Sequence, residues 1–300
     1  MPSLRDIKRR IKSVKNTQQI TKAMKMVSAA KLRRAQEDMV AARPYAEKMV
    51  ELISSLVAKT KPESHALLAG REGDKTGVIT ITSDRGLCGS FNTVLIRTVE
   101  SFIAELEGAP AGLFVIGRRG GEYFKRRDFN LFSSVPFGGA RPKYSTAALM
   151  AADVINRYLS NELDKVYVIY SEFKSALTQR PVALKLLPIA PEKPSEKPED
   201  AAGEAATAAT AEPDIKIIYE PTADVVLKNL LPKYVEVLIY RALLESSASE
   251  HGARMTSMDS ASKNASEMIG GLTLKYNRLR QAAITRELVE IISGAETLKS

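Results

Sequence analysis

Residues 255–283 read MTSMDSASKNASEMIGGLTLKYNRLRQAA. Within this stretch Met255, Met258, Ser262, Ala265, Ile269, Leu272, Tyr276, Leu279 and Ala283 recur at alternating steps of three and four, the spacing of a narrow helical seam. A second run in the same rhythm, Leu4, Ile7, Ile11 and Val14, opens the chain. Matching seams at the two ends predict two strands of one coiled coil, with the middle of the chain hung beside it.

Outward from these runs the pattern has structure of its own. The first seam continues through Gln18, Thr21, Lys25 and Ser28, which are polar, and turns apolar again from Leu32 to Leu56. In the polar window the apolar residues Ile20, Met24 and Val27 lie on a neighbouring face. Ser3, with Asp6 three residues later, forms a capping start. Pro44 is expected to bend this helix without ending it. A helix over about 3–58 would be roughly 84 Å long. The second long helix is expected from Asp224, with Pro232 in its first turns. Beyond Ala283 its seam positions become Arg286 and Glu290, while Ile284, Leu288, Ile291, Ala295 and Leu298 take over on an adjacent side. With Val289 and Ile292 added, the tip is apolar around much of its circumference and predicts an apolar socket on a partner. The register between the two helices stays open.

Between the rods the grammar changes. GVITIT (77–82), GLFVIG (112–117), KVYVIYSEF (165–173) and VALKLLPI (182–189) are buried-strand candidates, with helices near 92–107, 118–127 and 142–160. This alternation predicts an α/β, Rossmann-like unit over 75–220 with a mostly parallel sheet, between coiled-coil helices at 1–60 and 224–300. IKIIYE (215–220) is expected as an edge strand. Residues 190–214, APEKPSEKPEDAAGEAATAATAEPD, lack any large apolar residue and are expected to be a disordered insertion.

The chemistry-bearing residues are few. Cys88 is the single cysteine, which excludes an intrachain disulfide and a cysteine metal cluster, and His65 and His251 are the only histidines. The segment Ser83-Asp84-Arg85-Gly86-Leu87-Cys88-Gly89-Ser90-Phe91-Asn92 follows a strand and precedes a helix, but matches neither GxGxxG nor GxxxxGK[ST]. A structural turn is the expectation there, with Cys88 a packed small hydrophobe; no catalytic group, cofactor or metal is assigned. Residues 1–36 hold eleven Lys/Arg against Asp6 alone, which calls for an acidic partner. Nucleic acid is one candidate, though no aromatic residue precedes Tyr45 to stack on bases. Arg254, Arg280 and Gln281 carry groups suited to fork-like hydrogen bonds with partner carboxylates. No run is long and apolar enough to span a bilayer, and the start lacks the apolar core of a secretory signal. An intracellular protein, or one on the cytoplasmic side of a membrane, is expected.

The start LRDIKRRIKSVKNTQQITKAMKMVSAAKLRRAQ, the central ITSDRGLCGSFN and the end ARMTSMDSASKNASEMIGGLTLKYNRLRQAAITRELVEIISGAETL together resemble the gamma subunits of F-type ATP synthases. The resemblance implies a rotor shaft inside a ring of three alpha and three beta subunits. Its foot would rest on the membrane c-ring and touch epsilon, on the cytoplasmic face of a bacterial inner membrane or the matrix side of an organelle. The chain would touch the membrane only through the c-ring and bind no nucleic acid. By motif position it places Met24, Lys25, Arg254, Arg280, Gln281 and Thr285 near the beta levers and catch loops, and Tyr219 and Glu220 at the foot. The insertion at 190–214 lies outside the family pattern, as does the absence of the cysteine pair that forms a redox switch in some photosynthetic members.

Overall fold

A computed structural model describes residues 3–59, 65–71, 73–106, 112–139, 141–189 and 222–297. The elements run α1 (Leu4–Lys59), β1 (Thr76–Ile81), α2 (Phe91–Glu105), β2 (Gly112–Ile116), α3 (Arg118–Lys125), β3 (Leu131–Val135), α4 (Tyr144–Leu159), β4 (Lys165–Phe173), β5 (Gln179–Leu187) and α5 (Ala223–Thr297). The expected strand at 215–220 and the insertion at 190–214, with Tyr219 and Glu220, lie outside the described residues.

The five strands form one sheet in the order β3-β2-β1-β4-β5. β1, β2, β3 and β4 are parallel, and β5 returns antiparallel along β4. β3 was not expected from the sequence. Its residues LFSSV are short and half polar, and it sits at an edge where one flank needs no apolar cover. Alternation along the central strands divides the core in two. Ile79, Ile81, Phe114 and Ile116 face α4 and the roots of α1 and α5, where Ile53, Leu56, Leu231 and Val235 are buried. Val78, Leu113, Val115 and Ile169 face Phe91, Leu95 and Val99 of α2 and Phe124 of α3.

The long helices start and run as their residues dictate. The Ser3 amide donates to Asp6 Oδ2 and the Asp6 amide to Ser3 Oγ, each at 3.2 Å, a reciprocal cap. The Ser3 hydroxyl, which donates to Asp6 Oδ2 at 2.7 Å, and then the Ser3 amide hold the Asp6 carboxyl below its ordinary value. α1 continues through Pro44 for 56 residues and α5 through Pro232 for 75. At 1.5 Å per residue that is roughly 84 and 110 Å. They pack antiparallel, with Lys25 Nζ 2.5 Å from Asp259 Oδ1. Extending that register brings Leu4 level with Arg280, so α5 outruns its partner from Gln281 onward.

The seam keeps its frame across the polar window. Thr21 and Ser28 are buried on it, while Ile20 and Val27 point outward and are exposed. The Thr21 hydroxyl satisfies itself on the Gln18 carbonyl at 3.0 Å. Lower down, every residue of α5 from Ala242 to Gly252 is buried. There α5 is enclosed by α1 and by β4, whose Ser171 carbonyl accepts from Ser249 Oγ at 3.0 Å. The run ESSASEHGA over 245–253 suits this position, because small side chains let three backbones approach.

Candidate functional site

A groove of about 720 Å³ opens where α1, α5 and the loop after β1 converge. α1 supplies Ile20, Met24, Val27 and Lys31; the loop supplies Arg85, Gly86 and Leu87; α5 supplies His251 and Arg254. Its rim is both apolar and basic. Leu87 is the most unusual contributor. It holds a φ of +64°, a backbone state that branched side chains rarely adopt, and is 63% exposed. A strained loop that presents a leucine to solvent is a feature of a contact surface rather than of a core.

The loop is held firmly behind that leucine. Asp84 accepts the amides of Arg118 (3.1 Å), Phe137 (2.9 Å) and Gly138 (3.2 Å). Gly117, at φ +109°, passes so close to the Thr82 carbonyl that a Cβ would collide with it. Cys88 is buried against Phe91 and Leu95, and burial pushes its thiol up, as suits a packed small hydrophobe. In open α/β sheets ligands enter at the carboxyl ends of the strands, at the point where the winding reverses, here between β1 and β4. In this chain that end is filled by its own side chains.

Arg254 does the filling. It is only 9% exposed. Its Nη2 donates to Glu250 Oε1 at 2.6 Å and to the Arg85 carbonyl at 3.3 Å, and its Nε to the Gly86 carbonyl at 3.4 Å. Nη1 lies 3.3 Å from His251 Nδ1. Arg254 therefore does not stand free toward a partner carboxylate, as its place beside the seam suggested. The β1 loop covers that flank of α5, and a buried guanidinium needs an internal anion. Burial raises the Glu250 carboxyl, an effect that Arg254 opposes and Asp84 reinforces.

The remaining predicted residues divide into two places. Met24, half-buried, lines the groove, and Lys25 pairs beside it with Asp259. Hydrogen bonds from Lys25 and Lys263 hold the Asp259 carboxyl low. Arg280 and Gln281 are exposed roughly 32 Å beyond Asp259 along α5 at 1.5 Å per residue. One turn on, the Thr285 hydroxyl donates to the Gln281 carbonyl at 3.0 Å. Beyond them Ile284, Leu288, Val289, Ile291 and Ile292 are between 48% and 67% exposed. Leu298 lies outside the described residues. The sequence did not single out Leu87 or Arg85 as surface groups. The only trace was a leucine set between glycines, Gly86 and Gly89, in a turn.

Among the described residues no group of three or more His, Cys, Asp or Glu could hold a metal ion, and no helix is long and apolar enough to cross a membrane. A two-helix shaft with an α/β head, a filled ligand crevice and an uncovered apolar tip defines a mechanical subunit of a larger assembly. A family profile described as ATP synthase matches residues 3–298. The ATP synthase gamma chains of Trichlorobacter lovleyi and Moorella thermoacetica are 50% and 48% identical to this chain, each over the full length of both. A chain in the central stalk and c-ring structure of the Tetrahymena thermophila mitochondrial ATP synthase is 29% identical. It superposes with a TM-score of 0.59, covering 81% of this chain and 99% of that one. A rotor chain of the Euglena gracilis enzyme, 19% identical with a TM-score of 0.64, shares the fold. The chain belongs to the ATP synthase gamma family and forms the central stalk of that complex.

Proposed function

We propose that this chain couples rotation of a membrane c-ring to conformational cycling of three catalytic beta subunits, and contributes no reacting group itself. The observation that carries this is the free end of α5. Past Gln281 it leaves its partner helix with five large apolar residues exposed, a surface that needs a surrounding protein. In this reading Ile284, Leu288, Ile291, Ile292 and Leu298 turn in an apolar collar of the alpha–beta ring. Arg280, Gln281 and Thr285 meet the beta catch loops just below it. The groove at Met24, with Leu87 at its rim and Lys25 alongside, takes the acidic beta levers, so the basic face of α1 is directed at protein carboxylates and not at nucleic acid. Arg254 acts from behind, by fixing the loop that presents Leu87. Tyr219 and Glu220 belong to the foot on the c-ring, with epsilon beside it, on the cytoplasmic face of the membrane.

Met24→Lys in the assembled enzyme tests the groove. An added cation beside acidic levers should tighten contacts that need to release at every step. ATP-driven proton pumping per ATP hydrolysed should fall while the complex still assembles. Unchanged pumping would place the levers elsewhere. Co-purification of alpha, beta and epsilon with the tagged chain checks the assembly itself.

A further inference from the structure

A second cleft, of about 370 Å³, lies at the junction of α1, α5 and the turn before α4, next to the groove at Met24, with which it shares Lys31. Lys31, Arg34 and Asp38 reach it from one face of α1, Arg141 from the turn and Ser247 from α5. The acids there are already committed. Both Asp38 oxygens accept from Arg141, at 2.8 and 2.6 Å, and Glu37 takes Arg33 at 3.2 Å. Lys31 and Arg34 make no hydrogen bond or ion pair among the described residues, although the Lys31 charge is felt by Glu250. Ser247 is 1% exposed, and its Oγ has no hydrogen-bond partner among the described residues. Buried hydroxyls are ordinarily paired, so this one is a donor without its acceptor.

We propose that this cleft binds a small inorganic oxyanion of the phosphate type. Apart from the second oxygen of Glu37, whose Oε1 takes Arg33, the uncommitted groups in it can all donate: the Lys31 ammonium, the Arg34 guanidinium, the Nη1 of Arg141 and the Ser247 hydroxyl. Donors converging from three separate elements suit an anion with oxygens in several directions. The volume admits such an ion with part of its hydration. Bound there, it adds to the Arg141–Asp38 pair in tying shaft to head.

The test is calorimetric titration of the full-length chain with sodium phosphate, with ionic strength held constant by sodium chloride. One saturable site is expected, with a Kd of about 1 mM or tighter, and phosphate should raise the melting temperature where chloride does not. Arg34→Gln should weaken binding by about tenfold, the loss of one charge-assisted hydrogen bond. It alters an exposed side chain, so its folding is not at issue. Ser247→Ala should weaken binding as well, while melting no lower than the parent when phosphate is absent. A titration that does not saturate, chloride acting as well as phosphate, or both variants binding like the parent would each overturn the proposal.

Discussion

The helix α5 lives in two environments. From Leu227 to Met258 it runs through the molecule, against the sheet, α4 and α1, and every residue between Ala242 and Gly252 is buried. From Ile284 to Ile292 the same helix touches little of its own chain and exposes one large apolar residue after another. The lower part carries serine, glutamate, histidine and arginine in a buried place; the upper part carries isoleucine, leucine and valine in an open one. Residue type alone therefore misassigns both. The difference is that the lower part is enclosed by its own chain, and the upper part is left uncovered by it.

A matched pair of substitutions can break this comparison. Leu231→Ala, at a fully buried position, should cost about 3 kcal/mol in urea unfolding of the free chain. Leu288→Ala, at the open tip, should cost less than about 0.5 kcal/mol there, yet lower the yield of assembled complex. Equal losses in the free chain would mean that the tip is packed without a partner.

A smaller effect sharpens the account of the buried polar stretch. Arg254→Ala leaves Glu250 without its cation and the β1 loop without its anchor. Breaking such pairs costs about 3–5 kcal/mol, but a glutamate already raised by burial can take up a proton, so about 2 kcal/mol is expected. Denaturant midpoints measure it, and an unchanged midpoint would remove the joint from the stability of the head.

The smallest effect concerns Glu245, also buried. Burial raises its carboxyl above the ordinary value of 4.5, against the pull of Arg241 and Arg43 and with the help of Glu172. A raised carboxyl holds its proton more tightly in the folded state. Its contribution is therefore full below pH 4.5 and is lost as pH rises through the native value. Glu245→Gln should flatten this part of the pH dependence between pH 4.5 and neutrality. Melting temperatures of both forms across that window check it, and parallel curves would assign the dependence to other groups.

Much of this architecture was legible. The three-and-four rhythm held at every seam position from Leu4 to Leu56 and from Met255 to Ala283, because each helix has one close partner and the pattern records it. The central strands were legible because burial on both faces makes them continuously apolar. β3 was missed because an edge strand needs no such run, and β5 begins at Gln179, earlier than its apolar stretch. The inward turn of Arg254 was missed for another reason. Its anchor is the backbone of Arg85 and Gly86, about 170 residues away in sequence, and backbone carbonyls leave no residue-type signature. What could have been noticed is that residues 242–253 carry no lysine or arginine.

The unpaired end of α5 has a mechanical consequence. Torque is resisted by the separation between two strands, and beyond Gln281 there is only one. From Gln281 to Thr297, roughly 25 Å at 1.5 Å per residue, the helix is a slender pin on the axis, with almost no arm on which a sideways push could act. In the proposed rotor it would keep the molecule centred, as a pivot does, with the turning effort expected lower down, where two helices and a clamped loop give a push something to lean on.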